Sequence, residues 1–210
     1  MRRDVAVSGE PEPLDEIGDR LREERVRAGI SQRELARRLG LSPSLISQLE
    51  SGQSRPSVAT LYAIVTELGV TLDQVIRGPD RADAAADVAA SSDGSPVVRP
   101  ADRVAIDLDS GVRWEELAAH REEGVDFLEA IYEVGGSSTP DRSLMRHHGR
   151  EYGYIVSGTL DIQIGFERHR LEPGDSIAFD STVPHRLFNE GDDPVHAIWF
   201  VVGRQDDNHG

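Results

Sequence analysis

The 210-residue chain contains no cysteine, only two methionines and only two tryptophans. The lack of cysteine excludes disulfides, cysteine-ligated zinc, iron–sulfur clusters and thiol nucleophiles. No uninterrupted apolar run approaches the roughly 20 residues of a membrane span. No apolar segment typical of a signal peptide follows Arg2 and Arg3 either. The sequence therefore predicts a cytoplasmic globular protein without a membrane partner.

Lysine is also absent, so all 23 basic residues are arginines, against 38 aspartates and glutamates. The resulting net charge of −15 would disfavour binding to nucleic acid if it were spread evenly along the chain, but it is not. Residues 1–79 hold 11 arginines and 12 acids, a net of −1, whereas 80–210 hold 12 arginines and 26 acids, a net of −14. Within 17–57 there are 8 arginines and 5 acids, a net of +3. The acidity belongs to the C-terminal part, and the basic N-terminal segment can still face phosphates.

Composition divides the chain into four parts. Residues 1–13 are polar and predict a flexible arm, whereas 14–77 show helical periodicity and predict a five-helix domain. Residues 78–100 are rich in alanine, aspartate, serine and proline, which predicts a linker because such a segment buries too little apolar surface to fold. From 101 to 210, glycine and proline recur between short alternating segments. That pattern favours an antiparallel β-barrel or sandwich.

Local signals place the predicted elements within these domains. Four of the five predicted helices end at a glycine, and Ser31 with Glu34 forms a capping box. Ser42 caps the next helix, with Pro43 at its first position. The clearest predicted strands cover 127–134, 152–156, 159–164, 176–179, 185–189 and 195–202.

The segment from Ser31 to Gly52 predicts two short helices joined by a tight turn, the second of which presents an exposed face. The exposed residues are small or carry an amide: Pro43, Ser44, Ser47 and Gln48. Glutamine suits a bidentate contact with adenine, and serine can donate or accept in the major groove. Gln32 begins the preceding helix, where backbone N–H groups favour a phosphate. Four arginines can neutralise the DNA backbone, namely Arg33, Arg37, Arg38 and Arg55.

Residues 14–77 resemble the helix-turn-helix domain of the XRE family, which includes the phage Cro and repressor proteins. The matching positions are Gln32, Leu35, Ala36, Gly40, Ser42, Ile46, Ser47, Glu50, Gly52, Pro56 and Leu61. The resemblance implies that Ser42 to Gln48 enters the major groove and that Gln32 and Arg55 hold phosphates. Glu24 departs from the family, which has an apolar residue there. It either weakens the first helix or is exposed.

Two stretches of the C-terminal part resemble the two motifs of the cupin superfamily. The first is His147-His148-Gly149-Arg150-Glu151 with Gly158, and the second is Pro173-Gly174-Asp175 with Pro184, His185 and Asn189. The resemblance implies a jelly-roll barrel in which His147, Glu151 and His185 bind a divalent metal. Met145 stands where the family has its first histidine. Asp180 and Thr182 replace the family's proline and glycine before His185.

Two histidines and one carboxylate suit iron(II), zinc, manganese or nickel and leave coordination positions open. Alternatively, Arg146 and Arg150 pair with Glu151 in a metal-free pocket for a small polar or anionic molecule. The residues predicted to line the pocket are Arg146, Tyr152, Tyr154 and Gln163. The remaining histidines are predicted to lie at the surface (His120, His148, His169 and His209) or in the core (His196).

From residue 14 to about 204 the chain resembles XRE regulators with a cupin sensor domain. That resemblance implies a non-enzymatic regulator that binds an operator, senses a small effector and pairs as a homodimer on two half-sites. The alternative is a mononuclear non-haem iron oxidoreductase similar to phosphonate epoxidases, which would use His147, Glu151 and His185. A metal-free protein-binding scaffold is a third possibility. The DNA-reading residues Ser44, Ser47 and Gln48 favour the regulator, because an enzyme has no need of them.

Overall fold

The computed structural model describes residues 14–77, 96–119 and 124–203. The predicted arm, 1–13, and most of the predicted linker, 78–95, lie outside these residues, as do His120 and His209. The helices are α1 (Leu14–Arg27), α2 (Gln32–Leu39), α3 (Pro43–Glu50), α4 (Val58–Leu68) and α5 (Leu72–Arg77). Within the described part of the chain, no helix is long and apolar enough to cross a membrane.

The helix ends lie where serine and glycine predict them. Ser31, Ser42 and Ser57 cap α2, α3 and α4, and each side-chain oxygen accepts a hydrogen bond from the backbone N–H three residues later. Gly40 ends α2 with φ 67°, a left-handed conformation that a β-carbon would strain. The tight turn after Gly40 leads directly into α3.

The helices bury one continuous apolar face, which includes Leu21, Leu35, Ile46 and Leu61. Gly18 lets α1 cross closely over the end of α3, because a β-carbon there would lie 2.5 Å from the carbonyl oxygen of Leu49.

The expectation that Glu24 is exposed is wrong. Glu24 is only 4% exposed, and its carboxylate accepts a hydrogen bond from Arg27 one turn later. This ion pair makes burial of the carboxylate tolerable.

The C-terminal part forms nine described strands. They are β1 (Ala105–Leu108), β2 (Val112–Glu116), β3 (Val125–Tyr132), β4 (Arg150–Ser157), β5 (Leu160–Ile164), β6 (Glu167–Leu171), β7 (Ser176–Asp180), β8 (His185–Phe188) and β9 (Val195–Val202). They lie in two antiparallel sheets, in strand order β1-β2-β3-β9-β4-β7 and β6-β5-β8. This architecture confirms the predicted cupin-like jelly roll. All six predicted strands are present, and three of the described strands, β1, β2 and β6, were not predicted.

Strict alternation along β4 decides which side chains enter the barrel. Glu151 and Ile155 are buried and point inward, whereas Tyr152 and Tyr154 are 43% and 49% exposed on the outer face. Gly153 also faces inward, where the indole of Trp199 occupies the place of its side chain: a β-carbon there would lie 2.0 Å from the ring. The interior of the sandwich around Glu151 is therefore shaped by β4 and β9 together.

The start of α4 lies against the barrel. The backbone N–H of Ala59 donates to the carbonyl of Ser138 at 3.1 Å, and that of Asp109 donates to the carbonyl of Pro56 at 2.9 Å. A guanidinium nitrogen of Arg55 lies 3.7 Å from a carboxylate oxygen of Asp107. The helical domain and the barrel thus share a contact formed by the first turn of α4.

Candidate nucleic-acid interface and metal centre

Helix α3 divides into a buried and an exposed face. Ile46 and Leu49 are 1% and 2% exposed and pack into the helical core. The opposite face is open to solvent, together with two nearby arginines. Its members are Ser42, Pro43, Ser44, Ser47 and Gln48, and the arginines are Arg33 and Arg55. The residues that the sequence singles out for base contacts therefore lie on one accessible surface.

A buried ion pair fixes the end of α3 against α1 and α2. Arg25 donates to both carboxylate oxygens of Glu50, with Nη2 2.8 Å from Oε2, and to the carbonyl of Ile30. Hydrogen bonding to Glu50 raises the pKa of Arg25 despite its burial. The side-chain amide of Gln32 donates to the same Glu50 at 2.8 Å. Gln32 therefore braces α3 through its amide nitrogen.

Arg37 and Arg38 are engaged in surface ion pairs. Both donate to Glu34, at 2.6 and 2.8 Å, and Arg38 also donates to Glu67 at 2.9 Å. Of the four arginines predicted to neutralise phosphates, these two have carboxylate partners on the helical domain itself.

The barrel brings His147, Glu151 and His185 together, as the cupin motifs predict. Oε1 of Glu151 lies 3.0 Å from Nε2 of His147 and 3.0 Å from Nε2 of His185. His185 is fully buried, and the other two are 6% and 4% exposed. The backbone bridge between Met145 and His185 holds the second motif beside the first.

The second ring nitrogen of each histidine sets its tautomer. Nδ1 of His147 lies 3.0 Å from the carbonyl oxygen of His148, and Nδ1 of His185 lies 2.9 Å from that of Val183. Because a carbonyl oxygen only accepts, each Nδ1 carries the proton, and in the neutral ring Nε2 presents a lone pair. Both Nε2 atoms lie 3.0 Å from the same oxygen of Glu151.

Trp199 orients the carboxylate in the same way. Its indole Nε1 donates to Oε2 of Glu151 at 2.7 Å, so that Oε1 faces the two histidines. None of the three meeting atoms has a hydrogen-bond partner of acceptable geometry, although all are buried. A metal cation held by the three atoms, or a proton on His185, would balance the charge of the buried carboxylate.

The pKa values of Glu151 and His185 reflect the attraction between the carboxylate and the imidazole. Burial opposes ionisation of Glu151, but the close approach of His147 and His185 outweighs it and holds the carboxyl pKa far below its usual range. Burial likewise opposes charge on His185, and Glu151 outweighs it, so that the pKa of His185 is raised. The site favours positive charge beside the carboxylate.

The donor geometry is compatible with a divalent metal. Two ligands at about 2.1 Å from one ion, at right angles, lie about 3 Å apart. That separation matches both histidine–carboxylate distances, and the three residues form a group able to hold an ion. Carbonyl and indole contacts to the far side of each ligand are the usual second layer of support for a metal.

The cavity beside this cluster differs from the predicted pocket. Its lining consists of Val58, Tyr62, Trp114, Leu128, Ala130, Tyr132, Met145, Glu151, His185, Leu187 and Trp199. The predicted pocket residues Arg146, Tyr152, Tyr154 and Gln163 are not part of it. Arg146 is exposed, and the two tyrosines lie on the outer face because strand alternation from the inward Glu151 sends them there. Gln163 instead donates to the carbonyl of Gly165.

The metal-free alternative, in which arginines pair with Glu151, has no support in these contacts. Arg146 and Arg150 are exposed, and the partners of Glu151 are two histidines and a tryptophan. His148 and His169 are exposed, as predicted. His196 is not a core residue: it is half-buried and its Nδ1 lies 2.9 Å from Glu129.

Sequence reasoning missed Trp199 and Tyr62. Alternation along β9 predicts that Trp199 points into the barrel, so the sequence did carry a signal for this residue. For Tyr62 no local signal exists, because helical periodicity assigns it to the core of its own domain. In the structure its ring lies 4.6 Å from the imidazole of His147 in the other domain.

Comparisons with known proteins agree with both domains. The helix-turn-helix family model matches residues 21–75, and the cupin domain model matches 128–201. The HTH-type transcriptional regulator PuuR of Escherichia coli (strain K12) is 27% identical over 82% of this chain and 86% of its own. SutR, another HTH-type transcriptional regulator of the same organism, is 24% identical over 84% and 88%.

A solved structure supports the fold. The HTH_3 family transcriptional regulator from Vibrio cholerae superposes with a TM-score of 0.64 at 18% identity, covering 91% of this chain and 97% of its own. The domain order and architecture predicted from the two sets of motifs are confirmed.

Proposed function

We propose that this chain, which carries a helix-turn-helix domain followed by a cupin domain, is a sequence-specific DNA-binding transcriptional regulator. The observation that carries the proposal is the exposed face of α3, with Ser44, Ser47 and Gln48 on a helix braced by Glu50. These side chains enter the major groove, and Arg33 and Arg55 approach the phosphates on either side. The names of the full-length relatives support this role over the iron oxidoreductase.

The DNA proposal is tested on operators selected from random oligonucleotides. Gln48→Ala should weaken binding by about 1–3 kcal/mol at one base position and leave the preference at other positions intact. Arg55→Ala should weaken binding to all sequences alike and reduce the salt slope by about 1. Arg146→Ala, an exposed arginine of the barrel, is the matched control. Wild-type protein that selects no sequence, or variants that bind like wild type, would contradict the proposal.

We further propose that His147, Glu151 and His185 hold one divalent cation of the iron, zinc, manganese or nickel group. The bound ion would offer open coordination positions to a small-molecule effector. The chain's own contribution is to aim two Nε2 lone pairs and Oε1 at one point, through the contacts to His148, Val183 and Trp199.

Elemental analysis of the purified protein tests this site. We expect close to one ion per chain, and loss of that ion in His185→Ala. His169→Ala, which removes an exposed histidine of β6, is the control that should keep it. Equal metal content in wild type and His185→Ala would exclude the site.

The regulator is proposed to act as a homodimer whose partner surface is the outer face of β4 and β9. Tyr152, Phe200 and Phe127 are cross-strand neighbours there, and the two phenylalanine rings stack at 4.3 Å. Tyr154 and Ile198 extend the patch. Monomeric proteins rarely leave a contiguous aromatic patch of this kind in water. A two-fold pair is also what an operator with two half-sites requires.

A further inference from the structure

We infer that Tyr62, a residue of the DNA-reading domain, closes the effector site of the barrel, so that an organic effector and docked helix α4 compete for the same space. The inference rests on the proposed regulator function. It concerns a contact between the domains that neither domain's family motif contains.

The ring of Tyr62 enters the site itself. Its centroid lies 4.6 Å from that of the His147 imidazole and 5.3 Å from that of Trp114. Tyr62 and Val58, one helical turn apart, are 6% and 3% exposed and line the cavity beside Glu151. One face of α4 therefore serves as a wall of the other domain's cavity.

The cavity beside Glu151 is too small for an organic molecule. Its free volume is about 20 Å³, which is room for about one water molecule. A carboxylic acid, amine or imidazole therefore fits only if part of the wall moves. Helix α4 supplies Tyr62 and Val58 to that wall, so an organic effector bound beside Glu151 and His185 displaces Tyr62.

Displacing Tyr62 also loosens the contacts at the start of α4. These are the Ala59–Ser138 and Pro56–Asp109 backbone hydrogen bonds, with the ion pair between Arg55 and Asp107. Arg55 is the arginine proposed to hold a phosphate. A ligand that binds only the undocked state shifts the chain toward it. Effector binding thus separates Arg55 from the acidic barrel and leaves it available to DNA.

The absence of cysteine allows a direct distance measurement. Val26→Cys and Phe166→Cys place spin labels on exposed positions of the two domains, 60% and fully exposed. In metal-free protein, pulsed electron spin resonance should give one narrow distance. Tyr62→Ala should broaden it, whereas Tyr62→Phe, which keeps the ring, should not. An unchanged distribution in Tyr62→Ala would overturn the inference.

Competition is then tested with imidazole as the probe on zinc-loaded protein. Imidazole should bind Tyr62→Ala about tenfold more tightly than wild type, because no docking has to be broken. Saturating imidazole should broaden the interdomain distance in wild type. Equal affinities, or binding without a change in distance, would refute the competition.

A further variant separates this inference from the metal and DNA proposals. Ala130→Leu fills the cavity from the barrel side and should broaden the distance without any metal, whereas Ala178→Leu on the outer face should not. Thermal melting verifies that both variants fold. A narrow distance in folded Ala130→Leu contradicts the inference, whether or not zinc or DNA is bound.

Discussion

Trp199 decides which oxygen of Glu151 faces the two histidines. Its indole lies over Gly153 and donates to Oε2 at 2.7 Å, which leaves Oε1 for the cluster. Contacts of this kind, made to the far side of a metal-binding side chain, fix the orientation of that side chain. The role of the residue can therefore be tested apart from the ligands.

Trp199→Phe should lower zinc affinity by about 10- to 100-fold, because the carboxylate loses the hydrogen bond that orients it. Competition with a chromophoric chelator measures the change. Trp114→Phe is the control, since Trp114 lines the same cavity without a hydrogen bond to Glu151 among those the structure describes. A loss of affinity of equal size in both variants would mean that packing, and not the hydrogen bond, matters.

Gly153→Ala should disturb the same contact between Trp199 and Glu151, by displacing the indole. The added β-carbon would lie 2.0 Å from the Trp199 ring, so the indole must move. We expect a loss of about 1–3 kcal/mol in the stability of the barrel and weaker zinc binding. Thermal unfolding and the chelator assay measure both, and a variant with wild-type values would contradict the contact.

The clustering of His147, Glu151 and His185 was predictable, because the two cupin motifs identify all three residues. The pocket residues were partly predictable: once Glu151 is inward, alternation alone sends Tyr152 and Tyr154 outward. Tyr62 was not predictable, because the contact that gives it a role is formed with a separate domain.

At the scale of elements, helices were easier to predict than strands because their ends carry local signals. Serine caps and left-handed glycines mark α2 and α4 unambiguously. Strand β6 was missed because four of its five residues are exposed and charged or polar, which hides any alternation. Strand β2 was missed because it buries Glu115 and Glu116. Glu115 is neutralised by Arg103 and Arg113, which only the tertiary structure reveals.

Helix α3 depends on the buried ion pair at its end. Glu50→Ala should destabilise the helical domain by about 3–5 kcal/mol, because it leaves Arg25 buried without a charge partner. Chemical denaturation followed by helical circular dichroism measures the loss. Combining it with Arg25→Met should recover much of the stability, since no unpaired charge then remains. A double variant as unstable as Glu50→Ala alone would argue against this cause.

At the scale of the whole molecule, charge is divided between the two domains. The barrel part, 101–210, carries 22 acids against 10 arginines, whereas the segment 17–57 carries more arginines than acids. The acidic half repels the DNA backbone, so productive approach is limited to the face that bears α3. A single domain of this size buries too little surface for tight specific binding. This is the reason for proposing that two copies pair on DNA.

The aromatic patch on β4 and β9 is the proposed pairing surface. Phe200→Glu places a charge at its centre and should raise the dimer dissociation constant by about tenfold or more, measured by sedimentation velocity. Val134→Glu, at an exposed apolar residue after β3, is the matched control and should leave the dimer intact. Because the α3 face is untouched, Phe200→Glu should keep its half-site preference while losing affinity for the two-half-site operator. A variant that stays dimeric would place the interface elsewhere, and one that loses half-site binding as well would mean that the barrel face contacts DNA itself.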